Sequence, residues 1–152
     1  MKRSLFEKEL MTSLGPSLFS GSGFMGRDTR SLEEIVAEDL AFLKRKGVAK
    51  ERLLAALEEA YDKAKSAFGA TVEIRPGVTA VFHESMGRVP SPFPGEGVFE
   101  KGEAVVTEHK TGARLIITQL SLHLVEKHGF FQGAGSRYRI DPDRAIDMLG
   151  LA

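Results

Sequence analysis

Among the residues able to do chemistry, the densest group is His123-Leu124-Val125-Glu126-Lys127-His128, which holds two of the chain's four histidines. On a helix, His123 and Glu126 stand at i and i+3 on one face, with Gln119 one turn earlier. That spacing suits a shared proton, with His123 or His128 as acid/base and Glu126 orienting the ring. His123 and His128 are i and i+5, so their directions differ by about 140° on an ideal helix. The metalloprotease pattern requires histidines at i and i+4. The expectation is therefore no metal site, unless ligands come from elsewhere, such as His83 or His109. A plainer reading puts His123 on a polar face and His128 at the helix carboxyl end, where a cationic ring favours the dipole.

The second chemical segment is Gly133-Ala134-Gly135-Ser136-Arg137-Tyr138-Arg139. Gly133 and Gly135 allow close backbone approach, and Ser136 offers a hydroxyl. Arg137 and Arg139 carry guanidinium groups that could fork onto phosphate or carboxylate. A phosphate loop of the nucleotide-binding kind would need a Lys-Ser/Thr helix next, and none follows. The alternative is a tight turn into a strand, with both arginines solvated. If this turn folds back beside the histidines, the two segments make one pocket for a small anionic substrate.

Other motifs carry less. Gly21-Ser22-Gly23-Phe24-Met25-Gly26 is a literal G-x-G-x-x-G, but a dinucleotide fingerprint follows a strand and opens a helix, and here a helical pattern precedes it while the next helix opens only at Ser31. Residues 85–97 hold three prolines and three glycines, which predicts a long irregular loop. Such a loop covers a site, presents a polyproline segment, or tucks Phe93 into the core. No Ser/His/Asp triad can be assembled from spacing alone, and no cofactor is indicated.

The elements that must position these groups follow from periodicity and punctuation. A short helix is expected over 4–14, then a Gly/Ser-rich arm with Phe19 and Phe24 that docks on its own domain, a ligand or a second subunit. Ser31 and Glu34 form a capping box for a helix from Leu32 to Lys46, which Gly47 stops. A second helix runs from about Ala49 to Phe68 on a stripe of Leu53, Leu57, Tyr61, Ala64 and Phe68, and the short connection predicts an antiparallel pair. Alternation then predicts strands at 71–75, 78–83, 98–101, 103–110 and 113–118. Thr118 caps a helix from Gln119 to His128, Gly129 ends it, a short strand follows at 138–140, and Asp141-Pro142 opens a last helix ending near Leu149. Helices first, then hairpins, then helix–strand–helix predicts a single α+β domain over 1–152, with 1–30 as docking arm.

Composition narrows the function classes. Lys+Arg and Asp+Glu are both 21, so the net charge is +0. That removes the global field that draws a chain to nucleic acid and one guard against self-association, so a homo-oligomer is favoured over a nucleic-acid binder. The absence of Cys excludes disulfides, thiolate metal sites and a Cys nucleophile. No apolar run approaches a membrane span and the start is charged, so the expected compartment is cytoplasmic.

Two stretches, Gly23 to Ile35 and His123 to Ser136 running on to Tyr138-Arg139-Ile140-Asp141-Pro142, resemble a group of small uncharacterised bacterial cytosolic proteins. The resemblance implies a bacterial cytosolic protein and carries no activity. The leading expectation is thus a non-catalytic binding or regulatory protein that self-associates. The alternative is an enzyme acting on a small phosphate- or carboxylate-bearing substrate through His123, Glu126, His128, Arg137 and Arg139. Whether the chain is an enzyme stays open at this point.

Overall fold

Local punctuation sets the elements of the computed structural model, which describes residues 23–151. The expected helix over 4–14 and most of the docking arm lie outside them. Helix α1 spans Leu32–Lys46. The Ser31 hydroxyl accepts from the Glu34 N–H at 3.1 Å and donates to the Glu34 carboxylate at 3.1 Å, so the capping box closes side chain to side chain. Gly47 stops α1 in the left-handed region behind Lys44, Arg45 and Lys46, whose charges suit the carboxyl end of the dipole.

Helix α2 spans Lys50–Ser66 and buries Leu53, Leu57, Tyr61 and Ala64 on one stripe. The stripe was expected to continue to Phe68, but the last turn tightens: Ala67 N–H bonds Ala64 O and Phe68 N–H bonds Lys65 O. Phe68 then takes φ 51° and stands 94% exposed. The two helices of the pair take different supports. Helix α2 lies on the sheet and against the third helix, whereas α1 leans towards the last one.

Strands β1 (Val72–Arg75), β2 (Val78–His83), β5 (Glu103–Glu108) and β6 (Arg114–Ile117) form one antiparallel sheet in the order β1-β2-β5-β6. The register places Ala80 opposite Val106, Phe82 opposite Ala104, and Val106 opposite Leu115. Period-two alternation therefore puts Val78, Ala80, Phe82, Ala104, Val106, Leu115 and Ile117 into the main core with the α2 stripe. Within the expected irregular loop, Arg88–Pro90 forms strand β3 and pairs with β4, Val98–Glu100, as a separate two-stranded ribbon. Pro90 is tolerated because it ends a strand of this small ribbon.

Helix α3 spans Gln119–His128, with the Thr118 hydroxyl accepting from Ser121 N–H at 3.0 Å and Gly129 as its stop. The strand expected at 138–140 does not form. Arg139 N–H bonds Ser136 O and Ile140 N–H bonds Phe131 O, so the segment folds through turns while the Arg139 side chain goes inward. Helix α4, Pro142–Leu149, begins at Asp141, whose carboxylate accepts from the Arg144 N–H. The class remains α+β: a helical pair, a small antiparallel sheet, then two helices.

A second, smaller core decides where the site sits. It gathers Phe24, Met25, Ile35, Phe93, Leu120, Leu124 and Phe130, with Val89 and Phe99 packed beside them. This cluster joins the arm, α1, the β3–β4 ribbon and α3. Among the described residues, no helix is long and apolar enough to cross a membrane.

Candidate functional site

The loop between β3 and β4 crosses α3 on the sector occupied by Leu120 and Leu124. At 100° per residue both leucines fall inside the 140° wedge between His123 and His128. Phe93 fills that wedge from above, 8% exposed, and its backbone N–H is held by the Ser91 hydroxyl at 3.1 Å. The loop then carries Glu96 to the top of the wedge, between Gly95 at φ 81° and Gly97 at φ 90°. His123 Nε2 lies 2.8 Å from Glu96 Oε1, and His128 Nε2 lies 2.8 Å from Oε2 and 3.0 Å from Oε1. Two imidazoles that diverge on their helix thus converge on one carboxylate supplied from elsewhere in the chain.

Both rings are braced by aromatic neighbours. The Phe93 ring stacks on His128 with centroids 3.6 Å apart and 11° between planes. Phe99 leans on His123 at 4.6 Å. All three polar side chains are partly buried. Burial pushes the Glu96 carboxyl up, but its bonds with His123 and His128 outweigh burial and hold it below the ordinary carboxylate value. The Ser91 hydroxyl adds a bond to Glu96 Oε1 at 3.2 Å.

Glu126, the carboxylate chosen from helical spacing, plays no part in this cluster. Its side chain is exposed beside Lys127 at 4.0 Å, and its backbone carbonyl accepts from Lys50 Nζ. Gln119 turns away to bond Glu100, accepting from its N–H at 3.1 Å. The missed residue is Glu96. Its signal lay in the sequence: it is the one acid of residues 85–97, set between two glycines.

The glycine–arginine turn is built by backbone contact. Gly133 N–H bonds Phe24 O at 2.7 Å and Arg27 N–H bonds Ala134 O at 2.8 Å. A Cβ on Gly26 would lie 2.2 Å from Ser136 N, and one on Gly133 would lie 2.2 Å from Met25 O. Gly26 of the G-x-G-x-x-G segment therefore serves this clasp, and Gly23–Arg27 is a turn with no helix opening on it. Asp28 locks the clasp by accepting from Ala134 N–H at 3.1 Å while pairing with Arg30. The hydrogen bonds from Arg30 hold the Asp28 carboxyl well below its usual value, against the opposing effect of burial. Ser136 is buried and donates to Gln132 Oε1 at 2.8 Å.

The clasped turn forms one wall of a depression of about 480 Å³ lined by Arg114, Ser136, Arg137, Arg139, Asp141 and Arg144, among others. Arg139 makes a two-pronged pair with Asp39, at 2.9 and 3.0 Å, across the buried side of the turn. Burial opposes its charge, but Asp39 more than compensates and raises its pKa further. Arg137 bonds Glu103 at 3.2 Å. Among the described residues, Arg114 and Arg144 form no ion pair, and the Arg144 guanidinium reaches the Arg114 carbonyl at 3.5 Å.

The structure thus brings His123 and His128 together, and separately brings Gly135, Ser136, Arg137 and Arg139 together. It does not join the two groups: neither histidine lines the arginine depression, and both arginines are bonded to carboxylates other than Glu96. No family model, curated protein or solved structure matches the chain.

Proposed function

We propose that this chain is a non-catalytic binding protein whose ligand is a small phosphate- or carboxylate-bearing anion seated in the arginine depression. The observation that carries the reading is the pair Arg114 and Arg144, two guanidinium groups beside one concavity that form no ion pair among the described residues. Arg137 and Arg139 are matched by Glu103 and Asp39, so Arg114 and Arg144 against the single lining carboxylate of Asp141 leave a modest excess of positive charge there in a chain of net charge +0. Guanidinium groups match the planar fork of such anions. The volume is within the roughly 300–1,000 Å³ usual for small-ligand sites, and the clasped turn holds its wall rigid before any ligand arrives. The separation of histidines from arginines argues against a single acid/base pocket on the same anion.

Titration calorimetry at low salt with inorganic phosphate, and then with a phosphorylated three-carbon acid, tests this. Saturable binding is expected, and Arg144→Ala should weaken it by about tenfold or more, the worth of one charge-assisted hydrogen bond. Absence of binding by either probe, or an unchanged affinity in Arg144→Ala, overturns the reading. Tight, salt-steep binding of an oligonucleotide with no phosphate binding would assign the patch to a nucleic-acid backbone instead.

Self-association belongs to the same proposal. Phe68 and Met86 stand 94% and 95% exposed, large apolar side chains left uncovered among the described residues. Sedimentation of the full chain should show a species larger than 16.6 kDa, and a strict monomer at high concentration would refute this part.

A further inference from the structure

The histidine cluster has a chemistry that the anion reading leaves unused. Its three donor atoms, one each from Glu96, His123 and His128, lie within 4.8 Å of one another. Both imidazoles direct the same nitrogen, Nε2, at the carboxylate. In the neutral tautomer with the proton on Nδ1, each Nε2 presents a lone pair to the space that Glu96 now bridges. Bond lengths of about 2.0–2.2 Å to nitrogen and carboxylate oxygen put neighbouring donors of a tetrahedral zinc site roughly 3.3 Å apart. The two 2.8 Å contacts to Glu96 would open by about half an ångström, and the His123 and His128 nitrogens, within 4.8 Å of each other, would settle towards the same spacing by turning about their side-chain torsions.

From this we infer that Glu96, His123 and His128 form a three-ligand site for a first-row divalent ion of the zinc type, with a further position open to water or an exchangeable ligand. Two nitrogens and one carboxylate suit zinc, cobalt or nickel, whereas magnesium and calcium take all-oxygen sets. The rings are oriented in advance: Phe93 stacks on His128, Phe99 leans on His123, and the Ser91 hydroxyl bonds the carboxylate. Such outer contacts set ligand direction and lower the cost of ordering on binding. The ion would also stitch the β3–β4 loop, through its only acid, to the α3 helix. Helical spacing argued against this site, and the outside ligands considered for it were His83 and His109, not Glu96. The third ligand arrives from a loop that fills the wedge between the two histidines.

The test uses the full chain, stripped with a chelator and titrated with zinc chloride in competition with a metal-binding dye. One equivalent of tight, saturable zinc binding is expected, and cobalt(II) should give the visible absorption bands of a low-coordinate nitrogen–oxygen site. His123→Ala and His128→Ala should each lower zinc affinity at least about a hundredfold, while His83→Ala and His109→Ala leave it unchanged. Glu96→Gln keeps the size and hydrogen-bonding capacity of the side chain and should still weaken binding and change the cobalt spectrum, so the test survives if a histidine variant fails to fold. Zinc binding that persists in a folded His123→Ala/His128→Ala double variant, or that falls equally with His83→Ala, or that never reaches one equivalent in the wild type, overturns the assignment.

Discussion

Removing the Asp39 carboxylate should destabilise the chain in proportion to what it leaves behind. The Arg139 side chain is 15% exposed and that of Asp39 9%, so their two-pronged pair is largely out of water. In Asp39→Ala the guanidinium keeps its bond to the Gln132 carbonyl at 2.7 Å and a longer contact to Asp141 at 3.5 Å. Those partners cannot replace a full counter-charge. Breaking a buried pair from one side costs about 3–5 kcal/mol, and the residual Asp141 contact points to about 3 kcal/mol. For a domain of this size that corresponds to a fall in Tm of roughly 6–12 °C. The chain has no Trp, so far-UV circular dichroism against urea is the suitable assay. The companion variants are Arg139→Met and Asp39→Leu/Arg139→Met. With both charges gone the desolvation penalty disappears, and the double variant should recover most of the loss. A loss below about 1 kcal/mol in Asp39→Ala, as for an exposed pair, would refute the reasoning, and so would a double variant as unstable as the sum of the singles.

Two further outcomes follow from the clasp between residues 24–28 and 132–136. Gly26→Ala forces a Cβ to within 2.2 Å of Ser136 N at a φ of 59°, where no side-chain rotation relieves it; urea unfolding should show a loss of roughly 2 kcal/mol or more, combining strain and overpacking, and a neutral substitution would mean the two backbones can separate freely. Asp28→Asn should change acid stability: a carboxylate depressed in the folded state stabilises fully above its unfolded value, near 3.8, and loses that contribution as pH falls below it. Urea midpoints between pH 5 and pH 2 should therefore fall more steeply in the wild type than in Asp28→Asn, and parallel curves would show that the ion pair with Arg30 adds nothing.

Much of the architecture was readable from local chemistry. Capping and stop signals act over four or five residues, so Ser31, Gly47, Thr118, Gly129 and Asp141-Pro142 mark their helices correctly without knowledge of the rest of the chain. Alternation placed strands β1 and β2 for the same reason: a half-buried strand repeats every two residues whichever neighbour it pairs with. Phe93 could be expected in the core as a large apolar residue in a loop otherwise poor in them.

Where local chemistry was silent, tertiary structure decided. Residues 138–140 have strand-like composition, yet Arg139 reaches Asp39, one hundred positions away in the chain, and that pair holds the segment in turns. Spacing on α3 set His123 and His128 about 140° apart and paired His123 with Glu126, which instead lies exposed beside Lys127; only the β3–β4 loop could bring Glu96 over Leu120 and Leu124 to meet both rings. Sequence periodicity reports which residues share a face of one element. The partners that complete a polar cluster come from other elements, chosen by how the small second core packs, and that choice leaves no periodic trace along the chain.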